Sequence, residues 1–219
     1  PNIKHVTTYA RADSIARKSV SELRELKTAG IEHLYCGMET GSDLILRKIN
    51  KGFDTATIII SGTKAKEAGM VLSEFTLFGI GGKELAEENA VETAKVLNVI
   101  KPDFVRVHAT GIKLSSEMWN YVKNKELTLQ SEEEIVSEQK IMLELLADDM
   151  DCIYMNEHIV NLLLEVRGNI RTDKQNMLET INTYLQLPKQ EQELFNLGRR
   201  LNIMFFLADL NNRAKRKQT

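Results

Sequence analysis

The chain has 219 residues, a formal net charge of −2, and 42% hydrophobic and 27% charged residues, as expected for a globular protein of one large domain or a domain with an appendage. This charge gives no electrostatic reason to bind nucleic acid or an anionic membrane surface, and no apolar run approaches membrane-spanning length. The two cysteines, Cys36 and Cys152, indicate no disulfide framework, so a cytoplasmic location is expected.

Strand and helix patterns alternate along the first half of the chain. Mostly apolar runs predict strands at 3–10, 31–39, 71–78 and 104–109. Capping residues and glycines predict helices at 19–29, 43–50, 54–68 and 84–100. Because parallel strands need long crossover connections, these helix-length links predict four parallel strands that are adjacent in chain order.

After residue 115 the pattern becomes mainly helical. It predicts helices at 116–124 and 131–147, a weaker fifth strand at 151–156, and only helices beyond Thr172. The basic run at 213–217 is interpreted as a solvated terminus. The predicted fold class is therefore α/β, with a partial (βα) barrel of about four βα units at 1–147 and a mostly helical segment at 148–219.

Polar side chains recur on one face of the four predicted strands. Because side chains alternate across a strand, counting by twos places on that face Thr7, Tyr9, Arg11, His33, Tyr35, Gly37, Glu39, Glu74, Thr76, Arg106, His108 and Thr110. Buried charges need partners, so this face is either a structural ion network, such as Glu74 with Arg106, or a water-filled concave surface that binds a polar ligand. The second interpretation is favoured because charged groups recur from strand to strand.

Two strand ends carry residues that suit a ligand site. Glu39 ends the second strand and precedes the turn Thr40–Ser42 and a helix, which is the arrangement of a βα-barrel site. The alternative is a carboxylate that only caps a loop. The third strand leads into Gly79–Gly82, where three glycines either let backbone N–H groups approach a ligand or form only a tight turn.

The residues assembled so far resemble motifs of the radical S-adenosylmethionine superfamily, in the branch of the anaerobic coproporphyrinogen oxidases and methylthiotransferases. The stretch from Gly37 to Gly52 is similar to that branch's fourth-strand motif, G-x-E-S-G-S followed by a leucine and I-N-K-G, with Thr40 in place of the usual serine. Residues 8–13 resemble the third strand, 77–84 the glycine-bearing fifth strand, and 102–104 the start of the sixth. The resemblance covers about residues 1–147.

The resemblance implies roles for individual residues. Glu39 would contact the ribose or the amino acid end of S-adenosylmethionine, and Arg11 would meet its carboxylate. These side chains suit those partners, because carboxylates accept from hydroxyl groups and guanidinium groups pair with carboxylates. The residues implied to face the adenine are Gly79, Ile80 and Gly81. The candidates for contact with a small-molecule or otherwise unknown substrate are Tyr9, Tyr35, Glu74, Arg106 and His108.

Family members also carry a C-x-x-x-C-x-x-C motif whose three thiolates hold a 4Fe–4S cluster, and no such spacing occurs here. The resemblance therefore implies that this chain is the carboxyl-terminal part of an enzyme, with the cluster ligands upstream and no metal ligands of its own. This part alone would be inactive in radical chemistry, and its exposed first strand would be an edge for self-association. The alternatives are a non-catalytic half-barrel for binding or assembly, and an ordinary barrel enzyme that uses Glu39 and His108 as acid and base.

Overall fold

A single sheet of six strands organises the computed structural model, which describes residues 5–210. The strands are β1 (Val6–Ala10), β2 (Ile31–Glu39), β3 (Val71–Phe78), β4 (Phe104–Ala109), β5 (Ile153–Met155) and β6 (Gly168–Asn169), and they lie side by side in chain order. All neighbouring pairs from β1 to β5 are parallel, whereas β6 is antiparallel to β5. The predicted α/β class and the parallel order of the first four strands are therefore confirmed.

The sheet is open rather than closed into a barrel. Among residues 5–210, β1 pairs with β2 alone, so its other edge has no strand partner. Self-association through that edge stays a prediction. Residues 3 and 4 of the predicted first strand, and the basic run at 213–217, lie outside the described residues.

Helices connect the strands and follow them. They are α1 (Ala12–Ala16), α2 (Val20–Thr28), α3 (Asp43–Lys48), α4 (Thr55–Glu67), α5 (Ala86–Ile100), α6 (Glu117–Lys123), α7 (Glu132–Leu145), α8 (Ile170–Leu185) and α9 (Lys189–Arg200). Local signals define their starts: Ser19 and Ser131 each form a capping box with the glutamate three residues later. Between residues 5 and 210, none of these helices has the length and apolar character needed to cross a membrane.

The hydrophobic core lies between one face of the sheet and the helices that cover it. We call this the covered face. The strands contribute Leu34, Cys36, Met38, Leu72, Val105 and Val107, all fully or almost fully buried. From the helices, Ile58 of α4 and Leu97 of α5 join the same cluster. Full burial of one such aliphatic side chain contributes about 1.5–3 kcal/mol, so this face anchors the sheet to its helices.

The opposite face, which we call the open face, carries Tyr9, Tyr35, Phe75, Arg106 and His108. The predicted assignment of β3 to these two faces is wrong. Glu74 is aligned with Cys36 of β2 and Val105 of β4, and Phe75 is aligned with Arg106. Because aligned residues of neighbouring strands share a face, Glu74 and Thr76 lie on the covered face, where both are buried.

This register also excludes the Glu74–Arg106 ion pair, which was the example of the alternative structural network. The two side chains leave the sheet on opposite faces, and the Arg106 guanidinium instead donates to the Tyr35 hydroxyl at 3.0 Å. Neither carboxyl oxygen of Glu74 has a hydrogen-bond partner among the described residues. Burial raises the pKa of Glu74 well above its usual value, which keeps this carboxyl neutral in the core.

The segment after residue 147 joins the same sheet and the same core. Its strands β5 and β6 extend the sheet beyond β4, and residues of α8 and α9 belong to the core cluster. The Asn161 side chain accepts from the Ala109 backbone N–H at 2.8 Å and donates to the Val107 carbonyl at 2.7 Å. This one amide therefore continues the hydrogen-bond ladder of β4 where β5 has ended.

Candidate functional site

The carboxyl end of β2 presents Glu39 in a constrained conformation. The backbone of Glu39 has φ of 65°, and the pairing with β3 shifts between Gly37 and Glu39. Residues other than glycine rarely adopt positive φ, and such strain is often found at functional positions. The Glu39 carboxylate lies over Gly37, where a Cβ atom would collide with it. The small residue two positions earlier thus makes room for this acid.

Lys51 is the main partner of Glu39. Its ammonium group donates to the Glu39 carboxylate at 2.7 Å, and both side chains are mostly buried. A charge-assisted hydrogen bond in such a setting is stronger than an exposed pair. The sequence placed Lys51 in the I-N-K-G part of the motif, but it did not assign this contact.

Arg11, which directly follows β1, also contacts the segment that contains Lys51. Its guanidinium donates to the Lys51 carbonyl at 3.2 Å and to the Asp13 carboxylate at 3.1 Å, and it lies over the Phe53 ring. Arg11 and Glu39 thus meet at residues 51–53, as two strand ends of a parallel sheet should. The arrangement places two ion pairs, Glu39 with Lys51 and Arg11 with Asp13, beside each other at this edge of the sheet.

The predicted glycine turn lies at the end of β3, but it is buried. Leu85, Leu127 and Ile135 are close to Gly81, Gly82 and Gly79, respectively. The adjacent Ile80 is also almost fully buried, with 5% of its surface exposed. The predicted contact of Gly79, Ile80 and Gly81 with adenine stays a prediction. In the structure these residues follow the end of β3 and are covered by α7 and by the segment that precedes it.

Glu138 of α7 holds this turn in place. Its carboxyl group accepts from the Gly79 backbone N–H at 2.9 Å, and from the side-chain amides of Asn89 at 2.5 Å and Gln130 at 2.9 Å. Burial raises the pKa of Glu138 to about 7, although the three donors act in the opposite direction. Glu138 was missed by the sequence analysis, because its position in an acidic helix gives no local signal of burial.

Aromatic rings form a continuous row across the open face. Neighbouring ring centroids are 5.4 Å apart for Tyr9 and Tyr35, 5.6 Å for Tyr35 and Phe75, and 5.5 Å for Phe75 and His108, with interplanar angles of 88°, 65° and 76°. The row ends at His158, whose ring is 4.2 Å from that of His108. At the other end of the row Tyr9 is 79% exposed. Edge-to-face packing of this kind stabilises the row and leaves an apolar surface open to ligands.

Arg106 supplies the positive charge in the middle of this row. Its guanidinium lies 4.7 Å from the Tyr35 ring centroid and 5.9 Å from that of Phe75. Planar guanidinium groups stack on aromatic rings while keeping donors for a ligand. The Nε atom of Arg106 is buried and has no partner among the described residues, so one donor on this face remains uncommitted.

A cleft of about 220 Å³ adjoins this cation. It is lined by Arg106, His108, Met155, Glu157 and His158. Burial lowers the pKa of His108, and the neighbouring His158 and Arg106 add to this effect. A neutral imidazole beside a guanidinium can accept a proton or a hydrogen bond from a ligand. The sequence identified His108 but assigned no role to His158, since no local pattern connects residues fifty positions apart.

The structure brings most of the predicted site residues to the open face and its carboxyl edge. Tyr9, Tyr35, Arg106 and His108 share the open face, and Glu39 and Arg11 meet at its edge. Glu74 is separated from them by the sheet. Phe75, Lys51 and His158 take part instead, although the sequence did not select them.

Comparison with known proteins defines the fold. No protein-family model matches the sequence, and no curated protein matches it. Elp3 from the archaeon Methanocaldococcus infernus, with residues 1–46 deleted, has 17% identity and a TM-score of 0.55 over 66% of this chain and 33% of that one. The coproporphyrinogen III oxidase HemN from Escherichia coli, described as a radical SAM enzyme, has 16% identity and a TM-score of 0.49 over 64% and 32%. Methylornithine synthase (PylB) has 15% identity and a TM-score of 0.45 over 95% and 61%.

These similarities concern the fold. The chain spans about a third of the length of the Elp3 and HemN structures. The α/β fold with parallel strands that the sequence resemblance implies is therefore the one observed, with an open sheet, and the activity has to be argued from the residues themselves.

Proposed function

We propose that this chain forms part of the barrel of a radical S-adenosylmethionine enzyme, and that its open face and carboxyl edge contribute to the cofactor and substrate site. The observation that carries the proposal is the constrained Glu39. It ends β2 with a positive φ, lies over a glycine, and pairs with Lys51 of the same motif. Glu39 and Lys51, which lie at opposite ends of the family-like stretch from Gly37 to Gly52, are therefore in direct contact in the fold.

The residues at this edge fit the polar end of S-adenosylmethionine. The Glu39 carboxylate can accept from ribose hydroxyls or from the ammonium group of the cofactor, and Arg11 can pair with its carboxylate. Arg11 is exposed and uses only part of its donor set on Asp13 and the Lys51 carbonyl. Bound cofactor would supply the radical chemistry, while these side chains would bind and orient it.

The residues of this chain do not fit a 4Fe–4S cluster. Cys36 lies on β2 and Cys152 precedes β5, and both are free and fully buried. Burial raises the pKa of both thiols, which disfavours the thiolate that binds iron. The two cysteines of the chain are too few for the three thiolates of the family motif. We therefore assign the cluster ligands to a part of the enzyme outside this chain.

The open face is proposed to bind the substrate. It combines the aromatic row with the Arg106 guanidinium and the neutral His108 imidazole, so it suits a small molecule with an apolar or planar body and an acidic group. The aromatic rings would exclude water from this surface. Arg106 would fix the orientation of the ligand through its charge.

A binding measurement tests the cofactor part of the proposal. S-adenosylmethionine is titrated into the purified chain and followed by NMR, with Glu39→Gln as the test variant and Glu87→Gln, which changes an exposed acid of α5, as the matched control. We expect Glu39→Gln to weaken binding about tenfold, the effect of losing one charge-assisted hydrogen bond of roughly 1.4 kcal/mol. Glu87→Gln should bind like the native chain.

Two results would count against the cofactor site. One is a native chain that binds no S-adenosylmethionine, and the other is an equal affinity for the Glu39→Gln variant. Either would favour the half-barrel binding module or the ordinary barrel enzyme that uses Glu39 and His108.

A further inference from the structure

A second polar cluster lies at the amino ends of β1 and β2, away from the site described above. It consists of His5, Glu32 and His33, and one donor atom from each lies within 4.8 Å of the other two. The His5 Nδ1 atom and the Glu32 carboxylate are 2.6 Å apart. Glu32 and Glu39 are seven positions apart on the extended strand β2, a distance of roughly 23 Å. The cluster is therefore independent of the proposed cofactor site.

A β-bulge brings the three side chains together. Successive residues of a regular strand point to opposite faces, so Glu32 and His33 should diverge. In the pairing of β1 with β2, however, Val6 is opposite Ile31 and Thr7 is opposite His33, which leaves Glu32 as an extra residue. Bulges re-aim side chains and are often found beside functional sites. Here the bulge directs two adjacent donors towards His5.

We propose that His5, Glu32 and His33 bind a Zn²⁺ ion. Two imidazoles and a carboxylate form a donor set that zinc accepts, with a fourth position left for water. Tetrahedral zinc with bonds of about 2.0–2.1 Å requires donors roughly 3.3 Å apart. The three donor atoms lie within 4.8 Å of one another, and side-chain rotation would bring them to this spacing, since the His5 side chain is 60% exposed and can turn while its Nδ1 atom stays beside Glu32.

The alternative for these residues is an ordinary surface ion pair. Such a pair would involve His5 and Glu32 alone, and exposed pairs contribute little to stability. It would leave the second imidazole without a role and would give no reason for the bulge to bring His33 to the same place. The zinc site requires His33 and predicts binding of a divalent metal, whereas the surface ion pair requires neither.

Metal titration distinguishes these models. The chelator-treated full chain is titrated with Zn²⁺ by calorimetry, and with Co²⁺ by visible absorption, which reports the coordination geometry. Two of the four histidines of the chain belong to the cluster. The test variants are His5→Ala, His33→Ala and Glu32→Gln, and the matched control is His158→Ala, which removes an exposed imidazole elsewhere. Circular dichroism checks that each variant is folded.

We expect stoichiometric Zn²⁺ binding by the native chain and by His158→Ala. Each of the three cluster variants should bind at least tenfold more weakly, and Co²⁺ should lose its tetrahedral absorption. The proposal is overturned if the native chain binds Zn²⁺ no more tightly than the double variant His5→Ala/His33→Ala. It is equally overturned if His158→Ala loses binding while the cluster variants keep it.

Discussion

Glu138 offers a direct test of how the glycine turn is held. The residue is 1% exposed, and its carboxyl group accepts three hydrogen bonds, one of them from the Gly79 backbone N–H. Burial raises the pKa of this carboxyl from 4.5 to about 7. We predict that Glu138→Gln removes a pH dependence from the stability of the protein, because the amide has nearly the same shape and cannot ionise.

The sign and the size follow from linkage. Below pH 4.5 Glu138 is protonated in both the folded and the unfolded chain, so its burial has no ionisation cost. Between pH 4.5 and about 7 the unfolded chain loses this proton first, and the free energy of unfolding falls by about 1.4 kcal/mol per pH unit. The native protein should therefore lose about 2.5 kcal/mol between pH 5 and pH 8, relative to the variant.

Urea denaturation at pH 5, 6, 7 and 8, followed by circular dichroism, measures this difference. Glu74, which is also buried, is present in both proteins, so its contribution to the pH dependence cancels in the comparison. The Glu138→Gln variant should be less stable than the native protein at every pH, because its amide NH₂ replaces a carboxyl oxygen that accepts hydrogen bonds. This loss shifts the plot of unfolding free energy against pH by a constant amount and does not change its slope. Parallel curves for the two proteins from pH 5 to pH 8 would show that Glu138 does not titrate as inferred.

Two further predictions concern the core and the edge of β4. Replacing Glu74, which has no hydrogen-bond partner among residues 5–210, by Met should stabilise the protein at neutral pH. Burial raises the pKa of the Glu74 carboxyl, so the native protein loses about 1.4 kcal/mol of stability per pH unit above pH 4.5 for as long as this carboxyl stays protonated. Thermal unfolding at pH 5 and pH 8 should show the larger gain at pH 8, and an equal gain at both would contradict a neutral buried acid. Asn161→Ala should destabilise the protein by about 2–4 kcal/mol, because two backbone groups of β4 lose their partners. Urea denaturation beside Asn120→Ala, an exposed control, measures this loss, and equal effects would refute the role of Asn161 as a ladder extension.

The strand order was predictable because it depends on connection length. Each link between the first four strands has room for a helix, and right-handed crossovers of that length place successive strands side by side in parallel. The faces of β3 were less predictable. Ser73 and Glu74 are both polar and point to opposite sides, so alternation alone is ambiguous. Only the alignment of Glu74 with Cys36 and Val105 decides which side is covered.

In the candidate site, too, some residues were predictable from the sequence and others were not. Glu39 and Arg11 were identified because their motifs lie at strand ends, and the carboxyl ends of parallel strands meet at one edge of a sheet. The burial of Gly79 was not predictable, because it depends on how α7 and the preceding turn pack over the end of β3. Glu138, which secures that packing, looks in the sequence like one of several acids on a surface helix.

Short-range signals in the chain were sufficient to predict its local structure. The capping boxes at Ser19 and Ser131 and the alternating strand and helix patterns act over a few residues, so they can be identified without the fold. Contacts between distant groups became visible only in the folded chain, such as Glu138 with Gly79, 59 positions apart, and His5 with Glu32, 27 positions apart. The physical reason is that these contacts depend on strand register, on bulges and on helix packing, which are set by the burial of the whole core rather than by any short stretch of chain.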